Sequence, residues 1–319
     1  MGHEGVGRIA GLGENVTSID PSVQIGQRVG VAWTRDACGS CEFCTNLQND
    51  GETRCAKAFH SGRVVDGTFA EYTLVPVRYL TRIPERFDDL SDEEVAPVLC
   101  GGVTAYKAIK CCGVVPGQWV AVSGGGGGVG AFAVAYARAM GYRVIALDAG
   151  KEKGEYSLAQ GAEHYIDVTA TDDAGEAVKQ LTDGIGARAV IVAAGVGAAY
   201  RAAFSMLGPF GTLMCVGIPP PDHLVNFHPV FFVSKGWRVL GSAVGTRTDI
   251  LEALEFVKRK LVTPKIQWGK FEDIASLLVD VAKGKVSVHI LFCGYLTQAA
   301  DRYILDTRKV RCETVEIDK

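Results

Sequence analysis

The sequence predicts an α/β protein in which a doubly wound parallel sheet follows a β-rich, loop-rich first lobe. Three observations carry that prediction. The character of the chain changes near Thr104, apolar strands alternate with helical segments from Trp119 to Leu240, and a glycine run joins one such strand to one such helix. At 319 residues the chain is long for one domain and comfortable for two. Apolar residues make up 48% and charged residues 22%, the balance of a soluble globular protein with a sizeable core.

The first hundred residues are rich in glycine, β-branched residues and turn signals. Runs 5–9, 28–33 and 69–75 read as short strands bounded by Gly, Asp or Pro. Run 90–95 reads as the lobe's helix, opened by Ser91 as a cap with acidic residues in its first turn. From Trp119 the pattern becomes regular. A buried-type strand at 119–123 precedes a helix at 131–140, and 143–147 is the next strand. Further helix–strand pairs follow at 156–160 with 165–168, 176–181 with 188–193, and 200–207 with 212–216. A helix at 230–235 leads to a last strand at 238–240. Six strand-like runs alternating with helices imply βαβ units, hence a parallel sheet covered on both faces. Beyond Ser242, amphipathic helices are expected at 250–260 and 272–283, and no periodicity is evident from Val288 onward.

The net charge of -3 gives no basic surface for nucleic acid or anionic lipid, so neither partner is expected. No run approaches the roughly 18 uncharged apolar residues of a membrane span. The first residues lack the basic and apolar regions of a secretion signal, which makes the cytoplasm the expected location.

The glycine run contains Gly125-x-Gly127-x-x-Gly130. Alone, such a pattern is cheap to match and reads as a flexible loop. Here it leaves a strand, opens a helix, and has Asp148 at the end of the next strand, which is the context a dinucleotide site requires. Glycines allow a tight turn and let backbone N–H groups approach a pyrophosphate at a helix N-terminus. Asp148 can accept hydrogen bonds from an adenosine ribose, and its charge disfavours the extra phosphate of NADP, so NAD is the expected cofactor.

Of ten cysteines, four form the tight series Cys38-x-x-Cys41-x-x-Cys44 followed by Cys55. Without an export signal, that spacing points to a metal rather than a disulfide framework. Four thiolates close a tetrahedral zinc shell with no open position, so the expected zinc is structural. Singly, His3 reads as an ordinary histidine and Cys100 as a small buried hydrophobe.

Several strings together resemble the zinc-containing medium-chain alcohol dehydrogenases, especially the fungal and bacterial tetrameric type. They are Gly2-His3-Glu4-Gly5-Val6-Gly7, the four-cysteine loop, Asp66-Gly67-Thr68-Phe69-Ala70-Glu71-Tyr72, the run from Ala96 to Lys107, and Pro116-Gly117-Gln118-Trp119. The likeness runs from Gly2 to about Lys285. It implies a GroES-like catalytic domain interrupted by a Rossmann domain: 1–100 GroES-like, 101–243 Rossmann, 244–287 a return to the catalytic domain, and 288–319 a divergent tail. It implies that His3 and Cys100 are ligands of a catalytic zinc with Glu4 nearby, and that Cys38, Cys41, Cys44 and Cys55 hold the structural zinc. Gly127, Gly128 and Val129, beside Gly125 and Gly130, would lie along the pyrophosphate. Asp148 and Lys153 would bind the adenosine ribose, and Val216, Ile218, Ser242 and Val244 would flank the nicotinamide.

The implied function is hydride transfer between a primary or secondary alcohol and NAD, with an aldehyde or ketone as product, in a homo-oligomer. The family draws one catalytic cysteine and a Ser/Thr–His proton relay from sequence before the Gly-His-Glu motif, and closes with a Gly-Arg-Val-Val-like strand where Val288-His289-Ile290 stands here. Impaired catalysis is therefore expected of these 319 residues. The alternative is a non-catalytic protein that folds around one zinc and retains NAD. A zinc-free quinone reductase of the same fold is disfavoured by the four-cysteine loop and by His3 with Cys100.

Overall fold

The computed structural model describes residues 1–46, 51–282, 289–293 and 312–315. The first lobe is made of short pieces. Its strands are β1 (Gly5–Arg8), β2 (Arg28–Val31), β3 (Thr34–Asp36), β4 (Phe59–His60) and β5 (Thr81–Arg82). Its helices α1 (Val16–Ile19), α2 (Glu42–Thr45) and α3 (Asp92–Val95) are single turns. The expected cap of the third is there: Ser91 and Glu94 close a reciprocal box, the Ser91 N–H donating to Glu94 Oε2 at 3.0 Å.

The strand expected at 69–75 does not form. Its backbone groups are claimed elsewhere, which is why no ladder includes them. Phe69 N–H donates to the Met1 carbonyl at 3.0 Å, and the guanidinium of buried Arg35 reaches Ser61 Oγ (3.0 Å), Thr73 Oγ1 (3.0 Å), the Asp66 carbonyl (2.7 Å) and the Leu74 carbonyl.

Helix α4 (Gly101–Cys111) then connects the lobes. Sequence periodicity left it unassigned, although Val103, Tyr106 and Ile109 repeat at three-residue spacing and all are buried. The second lobe follows the expected alternation: β6 (Trp119–Ser123), α5 (Gly128–Ala139), β7 (Arg143–Asp148), α6 (Lys151–Ala159), β8 (His164–Asp167), α7 (Ala174–Leu181), β9 (Ala187–Val192), α8 (Gly197–Met206), β10 (Leu207–Cys215), α9 (Val230–Lys235) and β11 (Arg238–Gly241). All five pairings are parallel, in the order β11-β10-β9-β6-β7-β8. The chain builds outward from β6 in one direction and from β9 in the other, so a crevice opens beyond their carboxyl ends.

After α10 (Arg247–Lys258) come β12 (Ile266–Gly269) and α11 (Ile274–Ala282); Lys283, the expected end of that helix, lies outside the described residues. Strands β13 (His289–Cys293) and β14 (Cys312–Val315) complete a second sheet, ordered β12-β13-β14-β1-β2-β5. No strand was expected from Val288 onward. The sheet it joins is assembled by tertiary pairing, β13 beside β12 and β14 beside β1, and not by local pattern. One apolar core runs through both lobes, from Val6 and Leu99 through Val103 and Ile109 to Phe132, Tyr136, Ile250 and Leu291.

Candidate functional site

The loops beyond the carboxyl ends of β6, β7, β10 and β11 carry the residues expected at a dinucleotide. Gly124 and Gly125 N–H both donate to the Leu147 carbonyl, at 2.7 and 3.1 Å, tying the glycine turn to the end of β7. The Gly126 N–H donates to Asp148 Oδ2 at 3.0 Å. Asp148 Oδ1 accepts from the Ala149 N–H (2.8 Å) and from Lys153 Nζ (3.1 Å). The carboxylate therefore lies against the turn, with the ammonium beside it.

One glycine of the pattern is required outright by space. A Cβ on Gly130 would stand 1.9 Å from the Gly124 carbonyl oxygen, so only glycine lets the helix start so close to the turn. A Cβ on Gly127 would meet the Gly124 carbonyl oxygen at 3.4 Å, an ordinary contact. Gly127 caps α5, leaving the N–H groups of Gly128, Val129 and Gly130 in its first turn, where helices hold anions.

Val216 follows β10, its N–H donating to the Val192 carbonyl at 3.2 Å, and Ile218 is largely exposed two residues on. Tyr200, which sequence reasoning missed, donates its hydroxyl to the Gly217 carbonyl between them at 2.5 Å. Ser242 follows β11, its N–H donating to the Cys215 carbonyl at 2.9 Å. The Ser242 hydroxyl oxygen is buried with no hydrogen-bond partner among the described residues. Val244 adopts φ 40°, a left-handed conformation that a β-branched residue rarely takes, beside a narrow pocket it shares with Trp33, Leu99 and Ile250.

The four cysteines converge. Sγ–Sγ separations are 3.9 Å for Cys38–Cys44, 3.9 Å for Cys41–Cys55 and 3.7 Å for Cys38–Cys55, and all four sulfurs lie within 4.8 Å of one another. These are far beyond a disulfide of about 2.05 Å. They match the edges of about 3.8 Å that a tetrahedron with 2.3 Å zinc–sulfur bonds would have. Backbone N–H groups of Ser40 and Cys41 bring the Cys38 thiol down to about 6, whereas burial pushes Cys44 up to about 12.

His3, Glu4 and Cys100 are arranged differently. Glu4 is fully buried and its Oε1 accepts from the Gly101 N–H at 2.8 Å, joining the start of β1 to the residue after Cys100. The His3 ring meets Trp33 edge-on at 5.0 Å, and Trp33 in turn contacts His60 at 4.8 Å. His60 is held below the usual histidine range by burial and then by Arg63. No sequence pattern marked Trp33 or His60. Among the described residues, the cysteine quartet is the only group of three or more donors close enough to hold one metal ion.

The family profile described as an alcohol dehydrogenase GroES-like domain matches residues 1–85, and one described as a zinc-binding dehydrogenase matches residues 128–259. "Alcohol dehydrogenase 2" of Emericella nidulans is 40% identical over 300 residues, covering 91% of this chain and 79% of its own length. The chain belongs to the zinc-binding alcohol dehydrogenase family. An "Alcohol dehydrogenase" of Geobacillus stearothermophilus is 38% identical over 291 residues, covering 91% of this chain and 81% of its own length. The crystal structure of the alcohol dehydrogenase from the hyperthermophilic archaeon Aeropyrum pernix superposes with a TM-score of 0.78 at 28% identity, over 91% of this chain and 81% of that one.

Membership in this dehydrogenase family bears out the expected fold, a Rossmann sheet combined with a GroES-like lobe. Zinc fits the four-thiol quartet as it stands. A dinucleotide fits the carboxyl edge, where Gly127 caps α5 and the Ser242 hydroxyl lacks a partner among the described residues. His3, Glu4 and Cys100 are donors of the right type, but they do not form a three-donor cluster. No helix among the described residues is long and apolar enough to cross a membrane.

Proposed function

We propose that this protein is an oxidoreductase that passes hydride between a small primary or secondary alcohol and NAD, giving an aldehyde or ketone. The observation that carries the reading is the contact of Asp148 with the glycine turn, 3.0 Å from Gly126 N to the carboxylate. The turn offers the N–H groups of Gly128, Val129 and Gly130 to a pyrophosphate. Asp148 and Lys153 would take the adenosine ribose, and the Asp148 charge would repel a 2′-phosphate. Val216, Ile218, Ser242 and Val244 would hold the nicotinamide ring. NAD, when bound, supplies the hydride acceptor, and the protein's part is to fix the two reacting carbons and exclude water.

His3, Cys100 and Glu4 are proposed as the alcohol-side residues, with Glu4 holding the Cys100–Gly101 junction. The Cys38, Cys41, Cys44 and Cys55 zinc is structural, since four thiolates leave no open position. We place the division of the chain at 1–100, 101–243 and 244–287. The four reduced, clustered thiols suit a reducing, cytoplasmic compartment. Exposed Val239 and Leu240 on edge strand β11 support assembly into a homo-oligomer.

Titration of purified protein with NADH and NADPH tests the cofactor. Binding of NADH, with NADPH weaker by at least about tenfold, is expected; the reverse preference would overturn the role of Asp148. Because the cysteine quartet is the only cluster of three or more metal donors among the described residues, a second reading is that the chain binds NAD and one zinc without turnover. Metal analysis separates the two, since two zinc ions per chain with alcohol-dependent NADH formation favour catalysis and one zinc without it favours the second reading.

A further inference from the structure

We infer that the turn Gly51–Arg54, between the third and fourth cysteines, is a brace that positions the nicotinamide end of the dinucleotide site, with Arg54 as its main contact. The inference rests on the NAD reading above and adds a residue to it from the opposite lobe. The Arg54 guanidinium donates to the Gly241 carbonyl at 2.7 Å, across 187 positions of sequence. Gly241 ends β11, the outermost strand of the parallel sheet, and Ser242 and Val244 follow it directly.

That stretch needs an external hold. Among the described residues strand β11 is paired on one side only, its residues are exposed, and Val244 sits at φ 40° against its own preference. The same turn grips the far end of the stretch as well: Glu52 Oε2 lies 3.7 Å from the Arg247 guanidinium. Arg247 also stacks 4.5 Å over Tyr79 and donates to the Arg78 carbonyl. Residues 241–247 are therefore clasped at both ends by one lobe while they shape the crevice of the other.

The turn is anchored within the cysteine loop. Cys55 N–H donates to the Glu52 carbonyl at 3.3 Å, and Cys44 and Cys55 on either side both belong to the thiol quartet. A Cβ on Gly51 would clash with the Phe43 carbonyl, so the turn is seated on α2. The four-cysteine site thus sets where Arg54 stands, and Arg54 sets where Gly241 and Ser242 stand. Arg54 is a positioning residue, since it acts through the backbone of its neighbour.

Calorimetric titration of the zinc-loaded full chain with NADH and, separately, with ADP tests this. ADP reads the phosphate and adenosine contacts alone, and NADH adds the nicotinamide half. Arg54→Ala should weaken NADH about fivefold, the order expected for one charge-assisted hydrogen bond at an exposed site, with ADP affinity and zinc content unchanged. Arg54→Lys should recover part of the loss, and Glu52→Gln should weaken NADH by about twofold through the second contact. Wild-type protein that binds both ligands while Arg54→Ala and Glu52→Gln leave NADH untouched, or weaken both ligands alike, overturns the brace alone. Wild-type protein that binds neither ligand overturns the NAD reading and the brace with it.

Discussion

The two six-stranded sheets are held by different means. In the parallel sheet, Val122, Val144, Ala146, Ile191 and Met214 are all at most 1% exposed, and helices lie over both faces, so its stability is spread over many apolar contacts. The strands of the other sheet are two to five residues long, and polar clamps hold their surroundings. Arg35 gathers residues 61–74, Arg28 pairs with Asp92 at 2.6 Å, Arg78 pairs with Asp36 at 2.7 Å, and four thiols close one loop. Spread stability tolerates single changes, whereas stability concentrated in a few polar points does not.

Removing the metal is the largest break available. A structural zinc is worth on the order of 10 kcal/mol, so each lost thiolate costs several. Cys44→Ser, or treatment with a strong chelator, should release zinc and expose residues 36–60 to protease. The parallel sheet should keep its protection in hydrogen exchange. Loss of protection in both sheets together would show that the lobes are one cooperative unit, and the comparison would fail.

Arg35→Met is the next step down. It removes the charge-assisted hydrogen bonds of a buried guanidinium to Ser61, Thr73, Asp66 and Leu74, at a cost of about 3 kcal/mol. Urea denaturation checks the size. Hydrogen exchange should place the added opening in residues 61–74.

This contrast also explains what could be read from the sequence. Strands 119–123 and 143–147 announce themselves because a strand buried on both faces must be apolar through its middle, and the glycine turn because its spacing is dictated by backbone contact. The cysteine quartet was legible for the same reason, its spacing being that of one small ion's shell. By contrast, residues 69–75 read as a strand, since nothing in their own composition reveals that Arg35 takes the Leu74 carbonyl and Met1 the Phe69 N–H. Strands β13 and β14 depend on partners far along the chain, and the Arg54–Gly241 contact joins lobes whose relative placement no local pattern encodes.

A pH scan tests the seam between the lobes. His289 of β13 is buried against Phe132 of α5 at 5.2 Å, and its Nε2 has no hydrogen-bond partner among the described residues. Burial brings it from 6.5 down to about 4. The native state thus holds it neutral, while the unfolded chain takes up a proton below about 6.5. Its contribution is complete above that value and is lost as the pH falls toward about 4, up to about 3 kcal/mol in all. His289→Phe should flatten this window in denaturation curves at pH 7, 5.5 and 4.5, measured as the difference from wild type. Identical slopes for the two proteins would remove His289 from the seam.

The smallest expected effect belongs to the joint between α4 and α10 and lies at lower pH. Asp249 is buried at the N-terminus of α10, where burial disfavours its charge. That penalty is outweighed by the Thr246 N–H at 3.0 Å, Lys110 Nζ at 3.0 Å, the Thr246 hydroxyl at 2.8 Å and Lys107 Nζ at 3.2 Å. Its carboxyl is held below 3.8, so its stabilisation is present above the unfolded value and disappears as the pH falls through the lower native one. Asp249→Asn keeps the cap but removes the carboxylate that Lys107 and Lys110 share, Lys110 keeping Glu252 at 2.5 Å, at about 2 kcal/mol near neutral pH. The difference from wild type should shrink only below about pH 4, after the His289 window has closed. Two acid transitions in that order, each removed by its own substitution, would mean that the seam yields before the α4–α10 joint. A single transition carried by both residues would mean that the lobes share their polar stability, and the distinction between them would apply only to the apolar core.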